Sequence, residues 1–200
     1  MSYFWTTFED RGKEVTVQQG GRYEALNRDT NPATVKRGSR GITPSSDIPE
    51  LCVSGSARAS LFAKIQSVQR SGKYHIYETT EEPDVKPSRA DLDFGIIEEF
   101  RYNMKKHDKV TFSKHQVVNV RSIIIEHIQH SYESAGKNNV NRKYAEAVKN
   151  ALANLIGNGT YPEEAFRQAK LEEFKEFADA YGIEQAKKAY DGVPEGYSDE

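Results

Sequence analysis

The chain of 200 residues contains one cysteine, Cys52, one tryptophan, Trp5, and two methionines. A lone cysteine excludes an intramolecular disulfide and any cysteine-based zinc site built within one chain. Charge of either sign is not in excess: 28 Lys and Arg stand against 30 Asp and Glu, for a formal net charge of −2. No global field therefore draws the chain to nucleic acid or to an anionic membrane. Apolar runs are short, well below the roughly 18 residues a membrane span needs. The segment from Met1 to Val15 lacks the basic start and long apolar stretch of a secretory signal. These absences lead to the expectation of a soluble, cytoplasmic protein. Also missing are a phosphate-binding Walker loop, a GxGxxG turn, HExxH, GxSxG and an EF-hand loop.

Aromatic side chains, in contrast, are plentiful. With 11 Tyr and 9 Phe, a chain only 36% hydrophobic can still anchor a core, because each ring buries a large area. Ser2 to Phe8 is aromatic and β-branched and reads as a first strand, and Lys13 to Val17 as a second. Gln18 to Pro49 is a long stretch of turn chemistry, with Gly20-Gly21, Asn31-Pro32, Gly38, Gly41, Pro44 and Pro49. Leu51-Cys52-Val53 is a short apolar run. Leu61, Phe62, Ile65 and Val68 then recur at helical spacing over Ala57 to Gln69. Tyr74 to Thr79 alternates like a strand. Asp93 to Asn103, Lys109 to Phe112 and His115 to Ile125 read as further extended segments.

Beyond that point the period changes. Ile124, Ile128 and Tyr132 repeat at helical spacing, as do Tyr144, Val148, Leu152 and Leu155, with Gly157-Asn158-Gly159 as a stop. Thr160-Tyr161-Pro162-Glu163 has the pattern of a capping box, Gly182 that of a helix C-terminus, and a short helix from Ile183 to Tyr190 is expected after it. The chain thus divides into an α+β part, residues 1–122, and an all-α C-terminal segment, residues 123–200.

Several residue groups can carry chemistry, each beside a plainer explanation. Gly38-Ser39-Arg40-Gly41, with Arg37 and Arg40 as flanking bases, can cradle a phosphate through backbone N–H groups, or be a solvated loop. His127 and His130, three apart on a helix, share a face; a metal needs a third ligand that the sequence does not supply nearby, so polar-face histidines are expected and no metal. Arg101, Lys105, Lys106, Lys109, Lys114 and Arg121 face a single acid, Asp108, with Tyr102 and Phe112 interleaved. Such a stretch can hold single-stranded nucleic acid by phosphate pairing and base stacking, or be a solvated strand face. The C-terminal aromatic stripe is expected to be core, with partner docking as the other use.

One ordered set of segments carries a resemblance. An aromatic strand, Tyr3 to Phe8, is followed by Pro49-Glu50-Leu51-Cys52-Val53-Ser54-Gly55-Ser56 leading into a helix. A strand, Tyr74 to Glu78, and Glu98-Glu99-Phe100-Arg101-Tyr102 complete the set. Over about the first 120 residues this resembles the minimal ADP-ribosyltransferase-like folds of small bacterial and phage proteins. The resemblance implies small split antiparallel β-sheets with a helix, binding NAD in the cleft between them. It implies Ser54 and Ser56 at the serine turn supporting the nicotinamide, and Glu99, or else Glu98, as the catalytic carboxylate that stabilises the charge developing as the glycosidic bond breaks. On a strand Glu98 and Glu99 point to opposite faces, so one cleft takes one of them.

The departure lies in the first strand. Where the family has His or Arg, this chain has Trp5, one N–H donor without charge, able to stack on a base but not to hold a phosphate. Arg40 or Arg37 is the alternative source of that charge. Three functions follow as expectations: an NAD-dependent ADP-ribosyltransferase-like protein, such as a phage accessory factor modifying a host target in the host cytoplasm; a non-catalytic protein of the same fold that docks a protein partner; or a nucleic-acid accessory factor using Arg101–Arg121.

Overall fold

The computed structural model describes residues 1–18, 50–84, 99–104, 106–107, 109–135 and 142–198. It divides into two compact units, Met1–Arg121 and Ser122–Glu200. Arg37, Arg40 and Glu98 lie outside the described residues.

The first unit is built on one sheet of six strands: β1 (Tyr3–Thr7), β2 (Glu14–Gln18), β3 (Glu50–Ser54), β4 (Gly72–Thr79), β5 (Glu99–Asn103) and β6 (Lys109–Val120). Their order is β2-β6-β4-β1-β3-β5, and every pairing is antiparallel. The α+β class therefore holds. The expected pair of small sheets is replaced, among the described residues, by one continuous sheet.

The single helix described in this unit, α1 (Ala57–Val68), follows β3 directly. The Ser56 hydroxyl accepts from the Ala59 N–H and caps its start. Gln69, in the left-handed region at φ 50°, closes its end with its N–H on the Ile65 carbonyl at 2.7 Å. Leu61, Phe62 and Ile65 are buried, and the Thr6 and Ser60 hydroxyls share a hydrogen bond of 2.7 Å that ties β1 to the helix.

Alternation sorts the strands onto two faces. Tyr3, Trp5, Leu51, Val53, Tyr77, Tyr102, Val110 and Phe112 form one buried cluster, with Phe100 packed against it. The α1 side carries Phe4, Thr6, Ser54, Ile76, Glu99 and Arg101, as the register requires. In β6 the face changes midway. Lys114 pairs with Tyr77 and Gln116 with Ile76, so His115 is an extra residue in a bulge. Val110 and Phe112 therefore belong to the aromatic cluster, whereas Val118 and Val120 project from the opposite side, although all four occupy even-numbered positions. The two extended segments read from the sequence, Lys109–Phe112 and His115 onward, are one strand.

The second unit contains, among the described residues, α2 (Ser122–Ala135), α3 (Arg142–Asn158), α4 (Glu163–Tyr181) and α5 (Ile183–Ala189), each packed on the next. Ile124, Ile128, Val148, Leu152, Phe166 and Phe174 are buried. Gly159, at φ 75°, ends α3, and Gly182, at φ 88°, separates α4 from α5. The expected capping box does not form. Thr160 Oγ1 bonds Asn158 Oδ1 at 2.5 Å, and Pro162 stands at the N-cap of α4 with no side-chain cap. No helix among the described residues is long and apolar enough to cross a membrane.

Candidate functional site

Ser54 and Glu99 are register partners across β3 and β5, and Phe4 pairs with Ser54 from β1. The three form a row on the α1 side of the sheet. Ser54 is buried, and Phe4 and Glu99 are half-buried. Phe4 meets the ring of His115 edge-on at 5.3 Å, and His115 Nδ1 lies 3.2 Å from Glu78 Oε2. The first strand thus offers this row an apolar ring in place of a charged side chain.

Glu99 is engaged within its own strand. Arg101 Nε donates to Glu99 Oε1 at 2.6 Å, and Cys52 Sγ donates to the same oxygen at 3.8 Å. The Arg101 side chain is 4% exposed, and the Glu99 carboxylate is one of its partners there. Ser56 is occupied as the cap of α1.

Trp5 lies apart from them. Alternation sends it to the opposite face of β1, where it is 3% exposed and packs on Tyr77 and Phe112 at 5.8 and 5.5 Å between ring centres. Its Nε1 is buried without a hydrogen-bond partner among the described residues. The structure brings Ser54 and Glu99 together, gives Ser56 a capping role, and separates Trp5 from all three.

Two further clusters lie outside the set read from the sequence. The first stands where the β1–β2 connection crosses the aromatic face of β4 and β6. The Arg11 N–H donates to the Tyr77 hydroxyl at 2.8 Å, and the Lys114 N–H to the Lys13 carbonyl at 2.7 Å, which fastens the crossing. Asp10 is its hub: Oδ1 accepts from Lys114 Nζ at 2.5 Å and from the Gly12 N–H at 2.8 Å. The Lys114 hydrogen bond holds the Asp10 carboxyl down to about 2. Burial lowers the His75 ring and raises the Tyr77 hydroxyl from their ordinary values.

The second cluster is in the helical unit, for which sequence reasoning assigned no chemistry. Glu173, its side chain 3% exposed, bonds His130 Nε2 at 3.1 Å and the Tyr190 hydroxyl at 3.0 Å, one partner to each carboxylate oxygen. His127 is 7% exposed and stacks with Tyr161 and Phe166. Its ring, expected on a polar face, is in the core, and burial pushes it down to about 4, with Lys170, His130 and Arg167 adding to the effect. Sequence offered only the His127–His130 spacing as a signal; Glu173 is 43 residues from His130. Beside this cluster is a small cavity of about 130 Å³ lined by Lys170, Phe174 and Tyr190 to Pro194.

Part of the basic stretch is paired with acids at close range. Arg101 pairs with Glu99, Lys114 with Asp10, His107 with Asp84 at 2.8 Å, and His115 with Glu78. Among the described residues no group of three or more metal-ligating side chains comes together.

Fold and site define an antiparallel α+β sheet unit joined in sequence to a helical unit, with a serine–glutamate pair on the sheet. No family model, curated protein or solved structure matches the chain.

Proposed function

We propose that this chain is a non-catalytic binding protein that docks a protein partner. The observation that carries it is the separation of Trp5 from Ser54 and Glu99 by the thickness of the sheet, with Phe4 as the β1 residue beside the pair. Chemistry on NAD needs a charged or donor group for the pyrophosphate and a carboxylate free to meet developing positive charge. Here β1 presents a hydrocarbon ring, and the Glu99 carboxylate is committed to Arg101. A protein partner is favoured over nucleic acid because three of the five described Lys and Arg residues of the Arg101–Arg121 stretch, Arg101, Lys106 and Lys114, have an acid within 4.0 Å. A phosphate-tracking groove needs cations aligned and uncompensated. Binding of single-stranded nucleic acid that falls steeply with salt would overturn the choice of partner.

A second reading, an ADP-ribosyltransferase-like enzyme, is favoured by one observation: Ser54 and Glu99 are direct partners on one face. Release of nicotinamide from NAD decides between the two. Turnover that Glu99→Gln abolishes would establish the enzyme; absence of turnover supports the binding protein.

A further inference from the structure

Three donors converge on one oxygen at the β1–β2 crossing, and a ring nitrogen of His75 stands beside them. Lys114 Nζ and the Gly12 N–H bond Asp10 Oδ1, the Tyr77 hydroxyl lies 3.4 Å away and His75 Nδ1 3.9 Å away. The first two are bonded to that oxygen. The Tyr77 hydroxyl divides its proton between Asp10 and the Gly12 carbonyl at 3.1 Å. His75 Nδ1 stays beyond hydrogen-bond reach, buried and without a partner among the described residues, in a side chain 9% exposed. A buried ring nitrogen left unmade at the edge of a cationic cradle is uncommon, and it aims at the position Asp10 half fills.

The surroundings select the ligand. Among the described residues, Lys114 from β6 and Lys73 from β4 place positive charge near His75, against one acid, Asp10 from the crossing. The occupant is therefore anionic and short. A carboxylate has two oxygens in a plane; a phosphoryl group has three or four on a tetrahedron, enough to keep the Lys114 and Gly12 contacts and also reach His75. Asp10 itself is 56% exposed, at the tip of a surface connection, so that it can turn outward without disturbing the aromatic core.

We infer that the Lys114–Gly12–Tyr77–His75 cradle is an oxyanion site that takes a phosphoryl group, free or esterified, with Asp10 as its tethered competitor. It lies on the aromatic face, opposite the Ser54–Glu99 row, and does not depend on the function assigned to that row.

The test uses the whole chain with Asp10→Asn, which keeps an acceptor for the Gly12 N–H while removing the charge. Asp10→Ser serves as a second variant with a smaller acceptor. Inorganic phosphate and adenosine 5′-monophosphate are titrated separately at constant ionic strength, and the His75 ring nitrogens are followed by NMR. Phosphate should shift His75 Nδ1, and Asp10→Asn should bind at least about tenfold more tightly than the parent chain. Adding Lys114→Met should abolish the response. Tighter binding of the nucleotide marks an esterified phosphoryl group as the ligand, and equal or weaker binding marks free phosphate. An unmoved His75 signal in both folded Asp10 variants at about 20 mM phosphate, or affinity unchanged by removing Asp10, would overturn the inference.

Discussion

Ser54 and Glu99 stand opposite one another across β3 and β5, yet the carboxylate turns along its own strand to Arg101 Nε, 2.6 Å away. Glu99 therefore acts first as the counter-charge of a nearly sealed guanidinium. Glu99→Gln or Glu99→Ala should destabilise the sheet unit by about 1–3 kcal/mol in chemical denaturation, below the full cost of breaking a buried pair because Glu99 is half-buried. A change under about 0.5 kcal/mol would show that Arg101 does not rely on Glu99.

Trp5 is the centre of an aromatic cluster. Trp5→Ala should cost about 3–5 kcal/mol, the usual range for emptying a large aromatic site. Trp5→Phe should cost clearly less, since it keeps a ring against Tyr77 and Phe112 and removes a buried donor that has no partner among the described residues. Loss of ligand binding by Trp5→Ala at undiminished stability would instead place Trp5 in a binding cleft.

Burial holds His127 neutral, with its folded value at about 4 against an ordinary 6.5. The unfolded chain thus takes up a proton at higher pH than the folded one. The stability from the neutral ring is complete above about pH 6.5 and is lost as pH falls toward 4, on the order of 2–3 kcal/mol in all. His127→Phe keeps a ring against Phe166 and should remove that part of the slope. Denaturation followed by helical circular dichroism at pH 7 and pH 4.5 measures it; equal slopes for both proteins would refute the assignment.

Glu173 joins α2 to the residue that follows α5. Tyr190→Phe leaves Glu173 Oε1 without that donor and should cost about 1–2 kcal/mol, and Glu173→Ala, which removes the carboxylate bonded to both His130 and Tyr190, more than that. Thermal melting of the two variants side by side checks the order.

Elements with a local signature were readable before the structure. The Leu61-Phe62-Ile65 stripe of α1 and the Val148-Leu152-Leu155 stripe of α3 are periodicities that burial imposes on neighbours in sequence. The change of period near Val120 is likewise local: β6 ends there and α2 begins at Ser122. Features that depend on pairing were not readable. The bulge at His115 keeps the period of two but exchanges faces, so one strand reads as two. The face of Trp5 relative to Glu99 follows from the register of β1, β3 and β5, which the sequence does not state. Thr160 matched a capping box, but Asn158, two residues earlier, takes its hydroxyl. His130–Glu173 and Asp10–Lys114 join residues 43 and 104 positions apart, with no spacing rule to announce them.

The most direct measurement of the central claim is nicotinamide release from millimolar NAD by the intact chain, run beside Glu99→Gln over several hours. The binding-protein account predicts no release from either protein above buffer. Release by the parent chain that disappears in a folded Glu99→Gln variant would contradict it and establish the Ser54–Glu99 row as catalytic.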